Sequence, residues 1–168
     1  MFKEFFGSES VEVVKGVRIA IELEKESIKY YNEKSKKMES KDAAKLLKFI
    51  EKEEMNHLKQ LELLKESLLK KKAWLSADKL GKPAGPALYK EGKTPAVKGD
   101  SLDVGILLGA ARAEREAKEF YEKFAEKIKD EEGRRFFMRL AEFEQSHYEL
   151  FDGILQASEV KVEGGDLI

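Results

Sequence analysis

The chain has two histidines in 168 residues, and each closes a Glu-x-x-His segment: Glu54-Met55-Asn56-His57 and Glu144-Gln145-Ser146-His147. Residues three apart on a helix share a face, so the Glu and the His of one segment can grip the same metal ion. The segments stand at an offset of 90 residues, and the same offset relates Glu24 to Glu114 and Tyr31 to Tyr121. Four carboxylates in one apolar core would be prohibitive alone. Each uncompensated buried charge costs several kcal/mol or takes up a proton. Two divalent cations would balance Glu24, Glu54, Glu114 and Glu144, with His57 and His147 neutral. Carboxylate and imidazole without thiolate suit iron or manganese, and can also hold zinc. A single Glu three residues before a His is weak evidence in so Glu-rich a chain. Two such segments, matched by two further in-stripe glutamates at the same offset, argue against a merely structural bundle.

These residues need helices to bring them together. The apolar stripe Val13, Val17, Ala20, Ile21, Ile28 and Tyr31 predicts a helix over about 11–38, capped by Ser8 or Ser10, with Glu24 on the stripe. A second helix, about 42–70, carries Leu46, Leu47, Ile50, Leu61, Leu64 and Leu68, with Glu54 and His57 on the same face. A third, about 101–129 and capped by Asp100 or Ser101, carries Val104, Leu107, Ala111, Glu114, Ala117, Tyr121, Phe124 and Ile128. Asp130 caps a fourth, about 131–156, with Phe136, Phe137, Leu140, Glu144, His147, Leu150, Phe151 and Ile154 on one side. The tail 157–168 is expected to fray. Between the hairpins, residues 71–100 hold all three prolines (Pro83, Pro86, Pro95) and Gly81, Gly85, Gly92 and Gly99. This segment reads as a crossover, and Trp74, Leu75, Leu80 and Tyr89 suggest that it packs on the helices. The expectation is an all-α, single-domain chain: two repeated hairpins (11–70 and 101–156) forming a four-helix bundle. Glu24, Glu54 and His57 are spaced from their hairpin turn as Glu114, Glu144 and His147 are from theirs. All six should therefore meet at one height.

Composition narrows the field. A net charge of −1 gives no basic excess to neutralise phosphates, which argues against nucleic-acid binding. The absence of cysteine excludes disulfides, zinc–thiolate sites and cysteine-ligated iron. No apolar run approaches a membrane span and no cationic–apolar leader opens the chain, so no membrane association and a cytoplasmic location are expected.

Tyr31 and Tyr121 lie two turns beyond Glu24 and Glu114. They can hydrogen-bond ligand carboxylates from neighbouring helices, or stand as core aromatics. Glu51, one turn before Glu54, reads as a surface residue at the stripe edge, with a seventh ligand as the alternative. Glu26, Glu116 and the run Lys70-Lys71-Lys72 read as solvated.

At Glu24, Ser27, Tyr31, Glu54, His57, Glu114, Ala117, Tyr121, Glu144 and His147 the sequence resembles the ferritin-like diiron-carboxylate proteins, most closely their rubrerythrin branch. The resemblance covers about residues 10–156. It implies a non-haem site of two iron ions that reduces hydrogen peroxide, or dioxygen, as both irons become ferric. Two departures stand out. With no cysteine there is no rubredoxin-type centre, so the resemblance implies an external donor such as a rubredoxin-type protein. The positions flanking Glu114 are Ala111 and Ala117, where rubrerythrins carry a further carboxylate. The six-ligand set is also similar to that of bacterioferritin, where a haem methionine follows the helix 2 glutamate as Met55 follows Glu54. The alternative function is therefore a ferroxidase that oxidises and stores iron, and a third is a metal-stabilised bundle without turnover. The long crossover is compatible with a homodimer that exchanges hairpins.

Overall fold

The computed structural model describes residues 8–83, 95–99 and 101–158. Four long helices, α1 (Ser8–Ser35), α2 (Lys41–Lys70), α3 (Leu102–Lys127) and α4 (Glu131–Ala157), form an all-α four-helix bundle. Each of α1/α2 and α3/α4 is an antiparallel hairpin, and the two hairpins close on each other within one chain. The described part of the crossover contains one 3₁₀ turn, Ala77–Leu80. None of the described helices is long and apolar enough to cross a membrane.

Helix ends follow the caps. The Ser40 hydroxyl accepts from the Ala43 N–H at 3.2 Å, and the Asp130 carboxylate accepts from the Gly133 N–H at 3.0 Å. Ser101 is the N-cap of α3 without a side-chain hydrogen bond. α1 is displaced from its expected span: it starts at Ser8 and ends at Ser35, short of Met38. Asp103 explains that early end. Buried in the first turn of α3, it accepts from the backbone N–H groups of Glu39 and Ser40, both at 2.8 Å. The turn between α1 and α2 is thereby tied to the opposite hairpin.

The apolar stripes bury as two separate blocks. One, toward the start of α1 and the end of α2, includes Val17, Leu61, Leu64, Tyr121, Phe136, Phe137 and Leu140. The other, around the α1/α2 turn, includes Tyr31, Leu46, Ile50, Leu107, Phe151 and Ile154. The described start of the crossover packs on the first block, and Val97 near its end packs on the second. Leu80 is buried there, and Trp74 meets Phe137 edge-on with ring centroids 6.5 Å apart. Gly133 makes this approach feasible, because a Cβ at that position would lie 2.7 Å from the Trp74 ring. Tyr89 lies outside the described residues.

Candidate metal centre

A polar layer separates the two apolar blocks. Glu24, Glu54, His57, Glu114, Glu144 and His147 are all buried there, at 0–2% exposure. They fall into two groups of four: Glu24, Glu54, His57 and Glu144, and Glu54, Glu114, Glu144 and His147. Within each group one ligand atom per residue lies within 4.8 Å of all the others. Glu54 and Glu144 belong to both groups. The helical repeat explains the arrangement, because the i, i+3 spacing stacks each Glu beneath its His and the hairpins then face each other.

Both imidazoles turn Nδ1 toward the carboxylates. His57 Nδ1 lies 3.2 Å from Glu54, 3.8 Å from Glu144 and 3.9 Å from Glu24. His147 Nδ1 lies 3.0 Å from Glu54, 3.3 Å from Glu114 and 3.6 Å from Glu144. The two tyrosines close the layer from opposite ends. The Tyr31 hydroxyl donates to Glu114, and the Tyr121 hydroxyl donates to Glu24, each reaching across to the other hairpin. Burial, then the nearby glutamates, raise both phenol pKa values well above 10.0, which keeps these groups neutral donors.

The donor set fits cations better than it fits itself. Glu24 Oε2, Glu54 Oε1 and Glu144 Oε1 are buried without a hydrogen-bond partner among the described residues. The short approach of Glu54 Oε1 to His147 Nδ1 is not aligned as a hydrogen bond. Such orphaned oxygens cost about 1–3 kcal/mol each, more when charged, unless something electropositive faces them. Without cations the layer responds by holding protons. Burial first, then the neighbouring Glu54, pushes Glu24 well above the usual 4.5; burial, then Glu54 and Glu114, does the same to Glu144. Burial also presses Glu114 upward, but His147 and hydrogen bonds from Glu144, His147 and Tyr31 leave it below 4.5. Burial lowers His57 below 6.5. His147 is likewise pressed down by burial, yet Glu114, Glu144 and Glu53 hold it well above 6.5.

Two acidic residues differ from their sequence reading. Glu51 is not a surface residue: it is buried at 8% and accepts from Asn32 Nδ2 and Lys48 Nζ, both at 2.8 Å. It belongs to neither four-residue group. Glu53, which has no place in the apolar stripe, reaches from α2 to α4, where its Oε2 lies 2.7 Å from His147 Nε2. Its only sequence signal is position, directly before Glu54 and matched by Phe143 at the repeat offset. Met55 is 54% exposed on the outside of the bundle. Glu26 and Glu116 are exposed, Ala111 is buried and Ala117 half-buried, so no carboxylate flanks Glu114 one turn away.

No curated protein and no solved structure matches the chain. The family model for rubrerythrin matches residues 94–158, a span that holds α3, α4 and the site residues Glu114, Glu144 and His147. Glu24, Glu54 and His57 repeat that half at a fixed offset. The second half of the chain is thus similar to rubrerythrin, and the four-helix bundle with its doubled buried Glu/His layer fits a two-metal site of the ferritin-like kind.

Proposed function

We propose that the chain is a non-haem diiron oxidoreductase that reduces hydrogen peroxide, with dioxygen as the competing oxidant and electrons arriving from an external donor. One observation carries the reading: two buried four-residue groups share Glu54 and Glu144. Glu24 and His57 would hold one iron and Glu114 and His147 the other, with Glu54 and Glu144 within reach of both. Iron bound there would supply the redox chemistry, one electron from each of two ferrous ions, which with two protons reduces hydrogen peroxide to two waters.

The chain's own part is positioning, water exclusion and proton management. The apolar blocks seal the layer at both ends. Tyr31 and Tyr121 fix the carboxylates of Glu114 and Glu24 by donating to them. Glu24 and Glu144, which favour the protonated form when metal-free, release protons as cations bind. Reduction of the ferric pair falls to an external donor, such as a rubredoxin-type protein in the cytoplasm, because the 168 residues contain no cysteine. Manganese or zinc satisfies the same donor set but would change the chemistry, zinc having no redox step. An exchanged-hairpin homodimer would present the same residues.

The experiment is anaerobic loading with Fe(II), followed by oxidation with hydrogen peroxide and with dioxygen side by side. Faster oxidation by peroxide, saturating at two irons per chain, supports the peroxide reductase. Preference for dioxygen with continued uptake beyond two irons replaces it with a ferroxidase and storage role.

A further inference from the structure

The internal repeat breaks at one pair of positions that touch the histidines. The offset relating Glu54 to Glu144 and His57 to His147 also sets Glu53 against Phe143. Glu53 reaches from α2 to α4 and meets His147 Nε2 at 2.7 Å. Phe143 reaches the other way and packs edge-on against the His57 ring, with centroids 4.4 Å apart. His57 Nε2 is buried with no hydrogen-bond partner among the described residues.

Resting on the metal-centre reading above, we propose that this broken symmetry makes the two metal subsites unequal. Glu53 orients His147, so the Glu114/His147 subsite fills first and holds its cation more tightly than the Glu24/His57 subsite. Both rings turn Nδ1 to the carboxylates, so a ligating imidazole carries its proton on Nε2. At His147 that N–H has a carboxylate to donate to. The bond fixes the tautomer and the ring plane, and makes Nδ1 a better electron donor. At His57 the same N–H is buried without an acceptor, and the Nε2 side of the ring is held by packing against Phe143. The Nδ1 contacts, 3.2 Å from His57 to Glu54 and 3.3 Å from His147 to Glu114, lie on the ligating side and give way to a bound cation, so they do not set the order. Glu54 and Glu144 serve both groups, and Tyr31 and Tyr121 serve Glu114 and Glu24 alike. Glu53 is thus a positioning residue: it acts on the metal through His147.

Because the chain has only two histidines, their ring nitrogens can be followed without crowding. The metal-free protein would be titrated with Zn(II) while the imidazole ¹⁵N signals are recorded. The two rings are told apart by the closer Phe143 contact to His57, 4.4 Å between centroids against 6.4 Å for His147. Calorimetry in parallel gives the two binding steps. The expected result is that the His147 signals move with the first equivalent and the His57 signals with the second. Glu53→Ala should weaken the first step by about 10–100-fold and remove the order, the range seen when such a partner of a ligating histidine is lost. Glu53→Gln, which keeps a neutral acceptor, should restore the order in part. The Glu53 side chain is 19% exposed, so neither variant opens a closed core, and melting curves check this. Simultaneous movement of both rings, His57 moving first, or an unchanged order in Glu53→Ala would overturn the inference while leaving a two-metal site intact. Failure of zinc to bind at all would instead remove the metal centre, and this inference with it.

Discussion

Glu54 and Glu144 stand apart from the other four residues because each lies in both groups. Replacing a shared carboxylate should therefore damage both subsites, whereas replacing Glu24 should damage one. Glutamine is the informative substitution, since it preserves volume and removes only the charge. Glu24→Gln is expected to retain about one tightly held iron per chain after desalting, and Glu54→Gln to retain well under one. Equal losses in the two variants, measured as bound iron, would show that Glu54 is not shared. These residues are legible in sequence for a physical reason. A charged side chain on an otherwise apolar helical stripe must be neutralised, and a repeat that preserves four such placements points to one site. Tyr31 and Tyr121 are legible as in-stripe residues, but their particular partners are not. The crossing of each hydroxyl to the opposite hairpin depends on how the hairpins face each other. Glu53 and Glu51 escape for the opposite reason. They flank the stripe, where glutamate is the ordinary surface choice, and only the tertiary neighbours His147, Asn32 and Lys48 give them a role.

Among the elements, the four helices follow their apolar periodicity, and the caps Ser40 and Asp130 follow local chemistry. The end of α1 does not, because it is set by Asp103 from another helix. Two backbone N–H groups in the α1/α2 turn depend on that carboxylate, at 2.8 Å each. Asp103→Ala should lower stability by roughly 1–3 kcal/mol, the cost of leaving partly buried donors without their acceptor. Asp103→Asn, which keeps one acceptor oxygen, should lose less. Denaturant unfolding measures both. A loss below about 0.5 kcal/mol in the alanine variant would mean that water satisfies the turn equally well. The crossover was legible as a connection from its prolines and glycines. Its anchoring was only partly so: Trp74 and Leu80 announce burial by type, but the place that receives Trp74 exists because residue 133 is glycine.

For the whole molecule, the polar layer between two apolar blocks makes stability depend on what fills it. In the metal-free protein Glu24 and Glu144 have pKa values raised well above 4.5, and His147 is raised well above 6.5. A raised folded-state value favours folding below the unfolded value, and that contribution is lost as pH rises through the folded one. These three groups therefore make the metal-free bundle progressively less stable as pH climbs from about 4.5 through the neutral range. The lowered Glu114 and His57 act the other way: their contribution is present above the unfolded value and lost as pH falls through the folded one. Glu114 completes its change below 4.5, outside this window. His57 opposes within it, one group against three. Bound cations reverse the slope. They require the carboxylates ionised and the imidazoles neutral, so their affinity, and the stability they add, rises with pH. Melting temperatures of chelator-treated and metal-loaded protein, measured at mildly acidic and at mildly alkaline pH, should therefore diverge. The metal-free protein should melt lower at the alkaline condition and the loaded protein higher. If the metal-free protein instead gains stability on going alkaline, the layer is not holding extra protons, and cation binding cannot be what its four buried glutamates await.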